Sequence, residues 1–438
     1  MSTKKRILNI LFWSVVSAAF IGPGTITTAA KSGAAFGNEL LWTLLFSTLS
    51  CLLLQEAAAR LTMVSGRNLG QAIVEQFNAS KSKWLVLSLV LGAIVLGAAA
   101  YEMGNLLGAV AGFQLISNLP SYVLVLTIGA VAAIILSIPS LKIISTIMGF
   151  LVVIMGVGFL ITAFLIQPSL NEIVKGAFVP RIPSKPEAGV LMLGLIGTTI
   201  VPYNLFLGSG ISTQKQSIKE MRFGLAVAVL LGGLFSMAVL IVGTSVAGKF
   251  SFEELSLALQ KRMGIGGKYL LGFGLFAAGF TSTITAPLAA AITLRSLFGS
   301  KNPEKWEAKS LNFKIGWIVV LFAGVAFAAG NVKPIPAIIL AQALNGFLLP
   351  FISIFLFIVI NNSGITGKEN SNSLWLNILM ILVIFITLII GLNSAVKAVY
   401  SAITSGSISG NKYLIFIGVT SAVISIYIWI KARRRNND

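Results

Sequence analysis

Histidine is absent from this 438-residue chain, and aspartate occurs once, at the final position, Asp438. The first absence removes the commonest proton shuttle and metal ligand. The second leaves glutamate as the only acidic side chain anywhere before the last residue. A single cysteine, Cys51, excludes a disulfide framework and a cysteine-based metal centre. Charge of either sign is scarce: charged residues make up 10% of the chain, against about 25% in an average soluble protein. Apolar residues reach 56%, and the mean hydropathy is +0.93. A surface facing water over most of its area is excluded, so the chain is read as an integral membrane protein. No nucleophile–base pair and no phosphate-binding loop is visible, so neither an enzyme nor a cofactor is expected.

Taken as spans of about 20 residues, the apolar stretches fall at 7–31, 39–60, 84–107, 120–138, 142–167, 188–208, 222–247, 268–298, 315–331, 335–360, 374–393 and 411–431. That gives about twelve crossings and places both termini on one side. The net charge of +19 is distributed accordingly. Most Lys and Arg lie in the loops that share a side with the termini, which assigns that side to the cytoplasm. The basic ends Lys4-Lys5-Arg6 and Lys431 to Arg435 then face anionic lipid. No basic stretch is interleaved with aromatics on a soluble module, so nucleic acid is not an expected partner. The N-terminal run is too long for a cleaved signal and contains a Gly-Pro-Gly break, so it is read as a retained first helix.

Two spans carry proline at mid-depth, at corresponding places in two halves. The first reads Ile21-Gly22-Pro23-Gly24-Thr25 and the sixth reads Thr198-Thr199-Ile200-Val201-Pro202-Tyr203-Asn204. Proline removes an amide donor, and in a bilayer the freed backbone groups survive only beside protein or a water-filled cavity. One such break is commonly a simple kink. Two at matched positions point to an inverted repeat with a midplane substrate site. The expected architecture is therefore all-α with helices 1 and 6 broken. Residues 1–167 form the first repeat of five helices, 168–361 the second, and 362–438 two appended helices with a basic tail.

These residues also carry a resemblance. Gly22-Pro23-Gly24-Thr25, followed by Gly33-Ala34-Ala35-Phe36-Gly37, resembles the helix 1 signature of Nramp-type divalent-metal transporters, D-P-G-N with a G-A-x-x-G tail. The likeness continues through Gln55 to Leu61, Glu102-Met103-Gly104 and Ala277 to Thr285. It ends with Gln342 and the Leu349-Pro350-Phe351 segment. It runs in order through nearly the whole chain. The resemblance implies the LeuT-type fold and alternating access; with the Lys/Arg distribution, the expected protein is a multi-pass one of a bacterial inner (plasma) membrane with cytoplasmic termini.

It also implies a metal held by an aspartate and an asparagine from the first break and by a methionine and a carbonyl from the sixth. Those positions fall on Gly22, Thr25 and Val201, and the family's histidine falls on Tyr203. All four differ. A carboxylate supplies charge and a thioether selects softer metals, so weak Mn²⁺ and Fe²⁺ binding is expected, with no metal site assigned outright. The expected substrate-binding set is Gly22, Gly24, Thr25, Thr198, Thr199, Val201, Tyr203, Asn204 and Gln342, beside the breaks at Pro23 and Pro202. The family's proton relay is reduced as well: Ala99 stands one turn before Glu102, and the ninth span has no internal arginine. Glu102 is the coupling candidate, since an ionisable residue in the membrane is a functional candidate by default; a hydrogen-bonded structural glutamate is the plainer alternative. Glu56 is read as an i,i+4 ion pair with Arg60. Gly92, Gly97, Gly272, Gly274 and Gly279 are read as helix-packing positions, with Thr281, Ser282 and Thr283 as candidates to reach the cavity. Lys31 is read as lining a solvated vestibule, with contact to an anionic group as the alternative.

Three functions compete. One is transport of a divalent cation, shifted towards a hydrated hard ion such as Mg²⁺. Another is transport of a small polar or zwitterionic organic solute on the same fold. The third is a non-transporting membrane sensor, against which stands the short tail of about seven residues after helix 12. The sequence leaves the oligomeric state open.

Overall fold

The computed structural model describes residues 3–78, 80–138, 141–183, 185, 187–214, 216–246, 248–300, 302–330, 332–404 and 411–437. The side chains of Lys4, Lys5, Arg434 and Arg435, read above as lipid anchors, lie outside what is described. The first span is two helices, α1 (Thr3–Phe20) and α2 (Pro23–Phe36). Pro23 is the first residue of α2, where a missing amide donor breaks no helical bond. Next come α3 (Leu41–Ser65), α4 (Leu69–Phe77), α5 (Lys83–Leu91) and α6 (Gly97–Gln114), the last two joined by a π-helical turn at Gly92–Leu96. Then α7 (Ser121–Leu136), α8 (Leu141–Leu165) and α9 (Leu170–Phe178) lead to the sixth span. It is again split, into α10 (Glu187–Thr199) and α11 (Pro202–Ile211), with Pro202 at the first position of α11. The rest comprises α12 (Ile218–Gly243), α13 (Phe252–Met263), α14 (Ile265–Phe298), α15 (Leu311–Ala328), α16 (Pro334–Ile360), α17 (Ser363–Thr366), α18 (Leu374–Thr404) and α19 (Asn411–Asn437).

Nine helical segments among the described residues are long and apolar enough to cross a membrane, and two shorter apolar helices accompany them. The twelve expected spans each correspond to a helix or helix pair, but α18 runs on to Thr404 where 393 was expected and α6 to Gln114 where 107 was expected. Four short helices between spans were not expected: α4, α9, α13 and α17. Their ends are locally encoded. Asn68 accepts from Gln71 N while Asn68 N donates to Gln71 Oε1, closing a capping box at the start of α4. Ser251 caps α13, with Glu253 and Glu254 in its first turn and Lys261 and Arg262 in its last.

The broken spans sit at the centre. Of the most apolar 18-residue stretch within Glu187–Ile211, 94% is buried in the protein, against 22% of the corresponding stretch of Lys412–Arg433, which faces outward. Small residues bring the central helices together, as expected for Gly272 and Gly279. A Cβ on Gly279 would sit 2.5 Å from Ala109 N, and one on Gly272 would sit 2.9 Å from Gly112 O, so α14 lies close against α6. Gly92 departs from that reading: a Cβ there would meet nothing, and the residue lies in the π-helical turn. The Glu56–Arg60 pair is present at 3.0 Å, and Arg222 of α12 adds a second contact to the same carboxylate at 2.8 Å. One glutamate thus ties α3 to α12.

Candidate functional site

Two chain breaks face each other at the middle of the molecule. At the first, Gly22 is extended (φ −111°, ψ −176°) between α1 and α2. At the second, Val201 is extended (φ −83°, ψ 125°) between α10 and α11. The contact between them is direct: the hydroxyls of Thr25 and Thr198 lie 2.7 Å apart, both buried.

The proline dictates what else happens there. In a continuous helix the amide of residue 23 would bond the Ala19 carbonyl, and proline has no such amide. The hydroxyl of Tyr203 donates to Ala19 O at 3.4 Å instead. Asn204 donates through Nδ2 to Val16 O at 2.9 Å, and the Thr25 hydroxyl donates to Phe20 O. The Ala19 carbonyl is thus closed by a donor from the second break and the Phe20 carbonyl by one from the first, while Asn204 adds a second bond to a carbonyl inside α1.

The expected residues divide into groups. Gly22, Pro23, Gly24 and Thr25 form the first break, and Thr198, Val201, Pro202, Tyr203 and Asn204 the second; the structure brings these together. Gln342 of α16 joins them, its amide packed on Gly24 so closely that a Cβ there would overlap it. The Oε1 of Gln342 and the Oδ1 of Asn204 are buried and have no hydrogen-bond partner among the described residues. The Thr199 hydroxyl turns away and bonds Leu195 O at 3.0 Å, one turn back in its own helix. A Cβ on Gly22 would lie 2.7 Å from Ser282 Oγ and 3.7 Å from Asn105 Oδ1, so of the three hydroxyls considered in α14, Ser282 adjoins the break. The Thr281 hydroxyl bonds Ala278 O at 3.1 Å within α14.

Glu102 lies nearby on α6, fully buried. Its Oε2 accepts from Asn105 Nδ2 at 3.3 Å, and its Oε1 has no partner among the described residues. Its stem packs over Gly324 of α15, where any Cβ would overlap the Cγ of Glu102. The ninth span therefore offers Glu102 a bare backbone and no cation.

Tyr101 was missed in the sequence. Its hydroxyl donates to Gly197 O at 3.2 Å, just before Thr198, and its ring stands edge-on to Tyr203 at 5.6 Å between centroids. An aromatic next to Glu102 in a run of small residues was the available signal.

The family model for natural resistance-associated macrophage protein-like (Nramp) proteins matches residues 14–397. Among solved structures, a manganese transporter of Eremococcus coleocola, bound to an aromatic bis-isothiourea compound, shares 21% identity with a TM-score of 0.75. That match covers 99% of this chain and 96% of the transporter. Mhp1, a nucleobase-cation-symport-1 family transporter, aligns at 16% identity and a TM-score of 0.58, covering 98% and 92%. MhsT in complex with L-phenylalanine aligns at 15% and 0.56, covering 87% and 97%. At these identities the likeness establishes a shared fold, the LeuT-type fold of membrane transporters.

Proposed function

The chain belongs to the Nramp-like family, and from that premise we propose a secondary transporter, not an enzyme, whose cargo binds between the two helix breaks. Membership and the shared fold support divalent metal transport as the general function. The residues of this chain support a narrower one. Gly22, Thr25 and Val201 stand where the family resemblance implies an acid, an amide and a thioether, so neither charge nor sulfur is available to hold Mn²⁺ or Fe²⁺ tightly. The observation that carries this reading is the make-up of the two facing breaks: the hydroxyls of Thr25 and Thr198 meet at 2.7 Å, and the buried atoms beside them without a partner among the described residues are the amide oxygens of Gln342 and Asn204, all neutral. A hard dication that keeps much of its water, such as Mg²⁺, asks less of the protein. The neutral oxygens of Thr25, Thr198, Asn204 and Gln342 are the groups to receive it through that water. The repeat boundaries at 167 and 361 and the cytoplasmic placement of both termini belong to the same reading.

A second reading has its own support. Both breaks present a helix N-terminus, that of α2 at Pro23 and that of α11 at Pro202. Such ends favour negative charge, and no acid stands at either break to oppose it. A small polar or zwitterionic solute with a carboxylate fits these ends.

Coupling rests on Glu102. With no histidine in the chain and Ala99 one turn away, the proton path contracts to this one group. Full-length protein in liposomes with an internal pH dye tests both layers, offered Mg²⁺, Mn²⁺ and a panel of amino acids in turn. The expected result is Mg²⁺ flux well above Mn²⁺ flux at equal concentration. Mn²⁺ flux equal to or above Mg²⁺ flux contradicts the narrowing, and amino-acid flux in place of both selects the second reading. Glu102→Gln should keep substrate exchange and lose gradient-driven accumulation; substrate-driven acidification surviving in that variant contradicts the coupling role.

A further inference from the structure

A charged cavity lies away from the breaks, at the far end of α2. Its volume is about 1220 Å³, and it opens between α2, α6, α13 and the starts of α10 and α16. Five lysines line it: Lys31, Lys185, Lys249, Lys268 and Lys333. Two acids, Glu187 and Glu253, share the wall, which leaves an excess of three positive charges. Among the described residues the ion pairs lie elsewhere, and none engages these lysines. Lys185 stands 5.7 Å from the ring of Phe36, a cation–π contact that leaves its charge uncancelled.

A concave wall of one sign raises the local concentration of the opposite ion and lowers that of its own sign. The spacing along α2 links this wall to the break. Lys31 lies six residues beyond Thr25 on the same helix, about 9 Å along its axis, so the backbone of the wall and that of the break are separated by about one Debye length at physiological salt. Free dications arriving by this route are repelled. An anion is drawn in instead, and α2 and α11 begin at the breaks with their positive N-terminal ends.

We propose that this vestibule gathers small polycarboxylate anions, free or with a divalent cation chelated, and delivers them to the cleft between the breaks. Several amines spread around one cavity suit a ligand with several carboxylates. The chelated form also accounts for Gly22: the carboxylate oxygens a dication needs arrive with the ligand and need not come from the protein. The inference rests on the reading that cargo binds between the breaks, and it names the chemical class of that cargo.

The test uses full-length protein in liposomes and three probes: labelled citrate alone, citrate with Mg²⁺, and Mg²⁺ alone. Uptake of citrate alone assigns the free anion. Uptake only with Mg²⁺, both labels entering together, assigns the chelate. In either case Lys31→Gln with Lys268→Gln should raise the KM for citrate about 10-fold, within the usual range of electrostatic steering, with kcat little changed. The salt dependence of uptake should flatten, and the paired Lys→Arg variant should behave as wild type. For Mg²⁺ alone the Gln variant should lower KM, because two repelling charges are gone. Uptake of Mg²⁺ alone, with no citrate entry and a KM indifferent to the lysines, overturns the proposal and leaves the transporter reading intact. Phosphate competing as well as citrate overturns the polycarboxylate assignment. If no probe crosses, the transport reading fails on its own. Calorimetry of citrate on the purified chain then decides the vestibule: binding lost in the Gln variant supports it, and no binding overturns it.

Discussion

At the first break the backbone releases acceptors; at the second, side chains supply the donors that take them up. Both breaks begin a half-helix with proline, and both lie at the buried centre. They differ in the residues next to the proline. After Pro23 comes Gly24, with no side chain to reach across the gap. After Pro202 come Tyr203 and Asn204, which reach back to Ala19 and Val16 of α1. In a bilayer a freed carbonyl must be satisfied internally, and this chain satisfies it with protein. Tyr203 and Asn204 thereby hold α1 and α11 together.

The sharpest way to break this comparison is at the glycines. Gly197 precedes the second break, and a Cβ there would overlap backbone of α16, at Gln342 O and at Gly346 N. Backbone cannot move aside, so Gly197→Ala should destabilise the protein by about 3 kcal/mol and lower the melting temperature sharply in detergent. Gly24→Ala meets only the Gln342 amide, the end of a flexible side chain. It should fall below about 1 kcal/mol. Equal losses at the two sites would contradict the contrast.

A smaller effect is expected from the donors. Asn204→Leu removes the side-chain hydrogen bond to Val16 O, whose helical bond within α1 remains, a loss of about 1.5 kcal/mol. Thermal unfolding of the purified variant measures it, and an unchanged melting temperature would mean that this bond adds nothing to the contact between α1 and α11. The smallest is Thr25→Val, which removes the bonds to Thr198 and Phe20 while keeping the shape. About 1 kcal/mol is expected, together with altered flux of whatever solute crosses. A larger thermal loss than for Asn204→Leu would shift the centre of the contact from α11 to α10.

Much of this was legible in the sequence for a simple reason. Apolar runs of bilayer length admit few alternatives, and proline inside such a run marks a break, so Pro23 and Pro202 announced themselves. The hydroxyl facing of Thr25 and Thr198 followed from the two breaks meeting. What the sequence withheld depends on direction. Nothing in the string Pro202-Tyr203-Asn204 says that these side chains point at carbonyls of α1 rather than at a cargo. Thr199 carries the same hydroxyl as Thr198, yet one residue further round the helix it bonds its own turn. Gly324 against Glu102 is a contact between residues more than 200 positions apart, and an isolated glycine gives no periodic signal. The lysines of the vestibule come from five separate segments, so their convergence appears only once α2, α10, α14 and α16 are in place.

The central proposal is that the space between the breaks does not bind transition metals tightly, because Gly22, Thr25 and Val201 stand where the family resemblance implies an acid, an amide and a thioether. Calorimetric titration of Mn²⁺ into the purified wild type, beside Gly22→Asp combined with Thr25→Asn and Val201→Met, tests it most directly. The account predicts no micromolar binding in the wild type and an affinity at least about 10-fold tighter in the triple variant, the effect of restoring a charged and a soft ligand. Micromolar Mn²⁺ binding by the wild type, abolished when Thr25 and Thr198 are changed to valine, would contradict it.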